Sequence, residues 1–249
     1  MTATFAALVA AHVLADFVLQ TRWMVARKRH PGVLLLHGAI VLLTAQATLG
    51  LAAAPALLAV ALAHVVIDAV KARATPGPGA FLADQSAHLA VLAAVAVWQP
   101  GLWQAGLWAD LPAPWPGAIL HGLTLGAGFI LATRAGGFAV GLLMTAQTAG
   151  RMPGGLGLEG GLPQGGLTIG WLERGLIFIL LLAGEPGAIG FLIAAKSVLR
   201  FGTVAEDRAA SEYVIIGTLA SFGWAIAVTL ATLALRNGLP PLEIAAPLP

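Results

Sequence analysis

The chain has 249 residues, 59% of them hydrophobic and only 10% charged, with a mean hydropathy of +0.89. A soluble domain is near 25% charged, so this chain lacks the polar surface to coat a water-soluble globule, and the bilayer is its expected solvent. A formal net charge of +2 argues against nucleic acid as a partner, and the absence of cysteine excludes disulfides, thiolate metal sites and cysteine nucleophiles.

Apolar stretches of spanning length, without alternating short strands, predict an all-α polytopic membrane protein of seven or eight helices. The first segment runs from about Thr4 to Gln20. It has no positive start, and His12 and Asp16 interrupt it, so it reads as a retained span rather than a cleaved signal. Arg22, Arg27, Lys28 and Arg29 follow with His30. By the positive-inside tendency this loop is cytoplasmic and the N-terminus outside, in what would be a bacterial inner membrane. Segment two covers about Val33 to Leu51. Segment three, about Ala56 to Val70, exits at Lys71 and Arg73, inside again. After the Thr75–Gly79 turn sequence, segment four runs from about Asp84 to Trp98. Trp98, Trp103, Trp108 and Trp115 then suit an outer membrane–water interface.

The second half is less regular. From Gly117 to Ala149 the apolar run is broken by Arg134 and Gly136-Gly137, and it reads as two spans with a tight turn at Arg134, one long kinked helix being the alternative. Gly122-x-x-x-Gly126 and Gly137-x-x-x-Gly141 are spaced for close helix packing. Residues 150–170 form a glycine-rich loop without the Gly-Lys-Ser/Thr end of a phosphate loop. An apolar segment from about Thr168 to Ala183, a shorter helix from Ala188 to Phe201 and a final span ending near Leu235 complete the chain. The expected division is a four-helix membrane unit over 1–100 and further membrane helices over 101–249.

Three pairs with a spacing of four stand in the apolar first third: His12 with Asp16, His64 with Asp68, and Asp84 with His88. His37 sits alone between the first two. Spacing by four puts both members of a pair on one helix face. In an up-and-down arrangement these residues share one depth. His37 lies about 12 Å above Arg29, and His64 about 10 Å above Lys71. An aspartate at a bilayer centre costs roughly 2.5 to 3.5 kcal/mol, tolerated where the charge is partnered. A divalent cation would partner all three aspartates, and imidazole with carboxylate suits Zn²⁺, Mn²⁺ or Fe²⁺. The expected metal ligands are Asp16, His64, Asp68, Asp84 and His88, with His12 and His37 as further ligands or acid–base groups and Lys71 as a catalytic contact to phosphate or carboxylate. One metal with supporting groups and two metals sharing a bridge both satisfy this set. Hydrogen bonding between helices and bis-histidine haem ligation are the competing uses of such histidines, the aspartates counting against haem. Gln20 and Gln85 read as orienting groups or interfacial amides, Lys71 equally as a snorkelling anchor, His30 as solvated and His121 as packed. In the last third, Glu173, Lys196, Arg200 and Glu212 read as helix-locking ion pairs or as a clamp for an anionic head group.

His12-x-x-x-Asp16-Phe17-x-x-Gln20, His37-Gly38, His64-x-x-x-Asp68-x-x-Lys71 and Phe81-x-x-Asp84-Gln85-x-x-His88 together resemble the N-terminal signature of a bacterial multi-pass membrane family of unknown function. The run from Gly190 to Phe201, with Glu212-Tyr213 and Ile216-Gly217-Thr218, resembles its C-terminal extension. The first four segments are also similar to membrane-bound metal-dependent hydrolases, which carry comparable histidine and aspartate pairs. Likeness of fold does not assign chemistry. The leading expectation is a metal-dependent hydrolase with its site near the cytoplasmic leaflet, acting on a lipid or lipid-linked phosphate. A divalent-metal or proton transporter using the same residues, and a non-enzymatic scaffold, are the alternatives.

Overall fold

The structure is a computed structural model that describes residues 1–148, 164–204 and 208–242. Their regular elements are all helical, with no strand among the described residues. Six helical stretches are long and apolar enough to cross a membrane: Thr2–Leu19, Pro31–Leu49, Pro78–Trp98, Trp115–Gln147, Gly165–Leu182 and Ser211–Asn237. The chain is thus built as a multi-pass membrane protein. It divides into two compact units, one of Met1–Gly128 with Ala234–Pro249 and one of Phe129–Leu233.

The first unit opens with α1 (Thr2–Leu14), which runs on through a π-helical stretch, Ala15–Leu19. A short α2 (Arg22–Ala26) follows, then α3 (Pro31–Leu49), α4 (Pro55–Lys71) and α5 (Pro78–Trp98). Each of the last three begins with proline at its first turn, where the missing N–H costs no hydrogen bond and φ is already helical. His30, expected to be solvated, is exposed and also caps α3: its Nδ1 accepts from Gly32 N–H at 3.2 Å. Gly50, at φ +67°, ends α3 in the left-handed conformation, and Leu51 N–H closes back on the Gln46 carbonyl at 3.0 Å. α1 packs against α3 and α5, and α4 packs against the same two helices. Ala6, Ala7, Ala10 and Ala11 are all buried, and such small side chains let neighbouring backbones approach closely.

The ends of these helices remote from the basic loop are filled by apolar side chains, among them Leu8, Ala45, Leu49, Leu57, Leu92 and Val95. Thr44 and Thr48 in that half donate to carbonyls of their own helix. The tryptophan-rich stretch only partly behaves as an interfacial belt. Trp98 and Trp115 are exposed, but Trp103 is 5% exposed, and its N–H donates to Thr4 Oγ1 at 3.2 Å. Trp108 donates its indole N–H to the Ala47 carbonyl at 2.7 Å.

Residues 117–149 depart from expectation. Trp115–Gln147 is one continuous helical stretch of 33 residues: α6 (Trp115–Ile130), a π-helical stretch (Leu131–Ala135) and α7 (Gly136–Thr148). There is no turn at Arg134, whose side chain is exposed along the helix. Gly136 serves to make room: a Cβ there would meet Trp224 Cδ1 at 2.6 Å and Arg174 Cδ at 2.9 Å. Among the described residues, Gly122, Gly126 and Gly141 have nothing within 4 Å of a would-be Cβ, so the expected close packing at those glycines is not found there.

The second unit continues with α8 (Gly165–Leu182), α9 (Pro186–Val204) and α10 (Arg208–Asn237). Ile177, Ile189, Phe222 and Ala225 form its core. α8 starts at Gly165, within the stretch read as loop, while residues 149–163 of the glycine-rich loop lie outside the described residues. The π-helical stretch exposes carbonyls that side chains then satisfy. Arg174 Nε donates to Thr133 O at 3.1 Å and Trp224 Nε1 to Leu131 O at 2.9 Å.

Candidate metal centre

The polar residues of the first unit come from four helices. α1 and its π-helical extension carry His12 and Asp16, α3 carries His37, α4 carries His64 and Asp68, and α5 carries Asp84, Gln85 and His88. His12, His37, His64, Asp68, Asp84 and His88 are all buried. The π-helical turn under Asp16 shifts the register of α1 there by one residue, a device that recurs at functional sites.

At the centre, His37 Nε2 and His64 Nε2 lie 3.1 Å apart. Asp16 Oδ1 is 3.1 Å from the first and 3.2 Å from the second. Asp68 Oδ2 is 3.6 Å and 3.7 Å from the same two nitrogens. Four ligands at zinc-like distances from one ion are about 3.3 Å apart along each edge of their tetrahedron, and these five separations lie close to that value. Protons serve the arrangement poorly. If both Nε2 atoms carry hydrogen, two N–H groups crowd each other at 3.1 Å. If one does not, its lone pair faces the Asp16 carboxylate.

Around this centre each carboxylate is held by one oxygen. Lys28 Nζ donates to Asp68 Oδ1 at 2.9 Å, and Arg29 Nε ties the same loop to the Ala72 carbonyl at 3.0 Å. Lys71 forms a short ion pair with Asp84 Oδ2, which also accepts from Gln85 Nε2 at 2.9 Å. Among the described residues, Asp16 meets His37 and His64 through Oδ1 and His12 through Oδ2, the last at 3.9 Å. His12 Nε2 meets Gln85 Oε1 at 3.3 Å, and its ring stacks on His88 at 4.8 Å between centroids. His88 lies beside His64, with ring centroids 4.1 Å apart.

Every residue expected at the site therefore meets another of the set. His37, read as a further ligand or an acid–base group, lies at the centre among Asp16, His64 and Asp68. Lys28 is the residue that sequence reasoning missed, because it stood among four basic loop residues with nothing to mark it. Gln85 orients both Asp84 and His12, whereas Gln20 Nε2 is buried without a partner.

The polar set of the second unit is closed on itself. Lys196 donates to Glu173 Oε2 at 2.6 Å and lies over the Phe222 ring at 5.1 Å. Arg174 donates to Ser221 Oγ at 3.0 Å. Glu212 is exposed, and the side chain of Arg200 lies outside the described residues. His121 meets the Pro240 carbonyl through Nε2 at 2.9 Å.

Residues 4–107 match a family described as "Protein of unknown function (DUF3307)". The matched stretch contains every residue of the cluster from His12 to His88. No curated protein and no solved structure matches the chain.

Proposed function

We propose that the chain is a membrane-embedded, metal-dependent hydrolase whose N-terminal four-helix bundle holds a divalent cation between Asp16, His37, His64 and Asp68. The observation that carries this reading is that Asp16 Oδ1 and Asp68 Oδ2 each lie 3.1 to 3.7 Å from His37 Nε2 and His64 Nε2, which are themselves 3.1 Å apart. Mixed imidazole and carboxylate ligation suits Zn²⁺, Mn²⁺ or Fe²⁺. Such a cation lowers the pKa of a bound water and polarises a phosphoryl oxygen.

The protein groups have separable roles. His37 belongs with the ligands. His12, held at Nε2 by Gln85, has Nδ1 free of hydrogen bonds and is the group suited to take a proton. Lys71 keeps 30% of its side chain exposed, and with Lys28 it puts positive charge beside the carboxylates, as recognition of a phosphate requires. The substrate class is a lipid or lipid-linked phosphate, reached from the cytoplasmic leaflet of a bacterial inner membrane, with the first loop inside and the N-terminus outside. The apolar filling of the opposite half favours a site open to one face over a transit path for metal ions or protons.

Proteoliposomes containing phosphatidic acid and Mn²⁺ test this. Inorganic phosphate should be released by the wild-type chain and fall to background in H64Q, while K71M should lower kcat/KM by roughly 10- to 100-fold. Uptake of Mn²⁺ into the lumen without phosphate release would replace hydrolysis by transport, and neither activity would leave the scaffold reading.

A further inference from the structure

We infer that a second divalent cation binds beside the first, held by Asp68, Asp84 and His88, so that the Asp68 carboxylate bridges a dinuclear centre. This rests on the cation proposed at Asp16, His37, His64 and Asp68. The surrounding hydrogen bonds leave one oxygen of each of two carboxylates over. Asp68 has Oδ1 committed to Lys28 and Asp84 has Oδ2 committed to Lys71 and Gln85. The other oxygen of each, Asp68 Oδ2 and Asp84 Oδ1, is buried and has no hydrogen-bond partner among the described residues.

His88 shows the same division. Its Nδ1 lies 2.9 Å from the Asp84 backbone carbonyl, an acceptor only, so Nδ1 carries the proton and donates. Nε2 then presents a lone pair, and it too is buried without a partner. A ligating histidine characteristically donates its other ring N–H to a carbonyl in this way. One ligand atom from each of Asp68, Asp84 and His88 lies within 4.8 Å of those from the other two.

Two carboxylate oxygens and an imidazole lone pair, acceptors with no donor among them, do not suit a water, which has only two protons to give. They suit a cation. Both nearby lysines are already held on the outer oxygens, which fixes the carboxylates with their free oxygens inward. Two carboxylates and one imidazole favour Mn²⁺ or Fe²⁺, and paired ions of this kind sit about 3.5–4 Å apart. A two-metal centre clamps the attacking and leaving oxygens of an in-line displacement, which narrows the substrate class to phosphate esters.

The test uses the purified full-length chain, loaded with Mn²⁺ and desalted. Elemental analysis should give about two Mn per chain, and electron paramagnetic resonance should show the broadened signal of a coupled pair. H88Q and the isosteric D84N should each retain a single Mn with the six-line spectrum of an isolated ion, in protein whose size-exclusion profile matches the wild type. A single Mn in the wild type, unchanged by H88Q and D84N, overturns the second position and leaves the first standing. Two Mn in the wild type and in both variants overturns the assignment to these residues, and no Mn at all overturns both cations.

Discussion

Replacing Asp68 with alanine is expected to destabilise the chain by about 3–5 kcal/mol, the usual cost of breaking a buried ion pair from one side. Asp68 is fully buried. Its partner Lys28 keeps only 13% of its side chain exposed, with Nζ 2.9 Å from Oδ1. Removing the carboxylate leaves that ammonium without a counter-ion, and it removes the oxygen that faces His37 and His64 at 3.6 and 3.7 Å. Two roles are therefore lost together, and a second substitution separates them. In a D68A/K28M double variant the stranded charge is gone, so much of the stability should return while the cation is still not bound. Thermal unfolding in detergent, with and without added Mn²⁺, reads both effects. Wild-type stability in D68A would contradict the ion pair, and a stabilisation by Mn²⁺ equal to that of the wild type would contradict the ligand role.

The second large effect lies in the other unit and is independent of any metal. Arg174 is 3% exposed. Its guanidinium donates to the Thr133 carbonyl at 3.1 Å and to Ser221 Oγ at 3.0 Å. The Thr133 carbonyl belongs to the π-helical stretch that replaces the expected turn at Arg134. R174M fills a similar volume but supplies no donor, so the buried carbonyl loses its partner at a cost of about 1–3 kcal/mol. R174K restores the charge without the rigid fork that reaches two acceptors, and it should fall between the two in unfolding temperature. R174M as stable as the wild type would show that the π-helical stretch does not depend on this side chain.

The contrast between these two sites shows what the sequence could carry. Asp68 was legible because aspartate is costly in an apolar helix, and a histidine four residues away declared the face it occupies. The same spacing marked Asp16 and Asp84, and the basic loop after α1 with Lys71 after α4 put all the pairs at one end of their helices. His37 had no partner in its own helix, so its place at the centre could not be read from spacing; the contacts that define it come from α1 and α4. Lys28 was hidden for the opposite reason. It stood in a run of basic residues whose common explanation, anchoring at a membrane face, fits each of them equally.

Arg134 with Gly136-Gly137 misled because a charge and two glycines in an apolar run have the composition of a turn. In the structure the glycines admit Arg174 and Trp224 from α8 and α10, contacts some 40 and 90 residues away along the chain. The small-residue spacing likewise promised packing that depends on which face a neighbour occupies: Gly137 meets Trp171 and Arg174, while among the described residues Gly122, Gly126 and Gly141 meet nothing. Local pattern located the helices and the polar faces, while features that depend on long-range contact became visible only in three dimensions.

The most direct measurement is an anomalous difference map of the full-length chain, collected at the absorption edge of the bound metal. A peak is expected about 2.0–2.2 Å from His37 Nε2, His64 Nε2, Asp16 Oδ1 and Asp68 Oδ2, absent from the map of H64Q. A map with no peak among these four residues, or with the peak unchanged in H64Q, would contradict the metal centre.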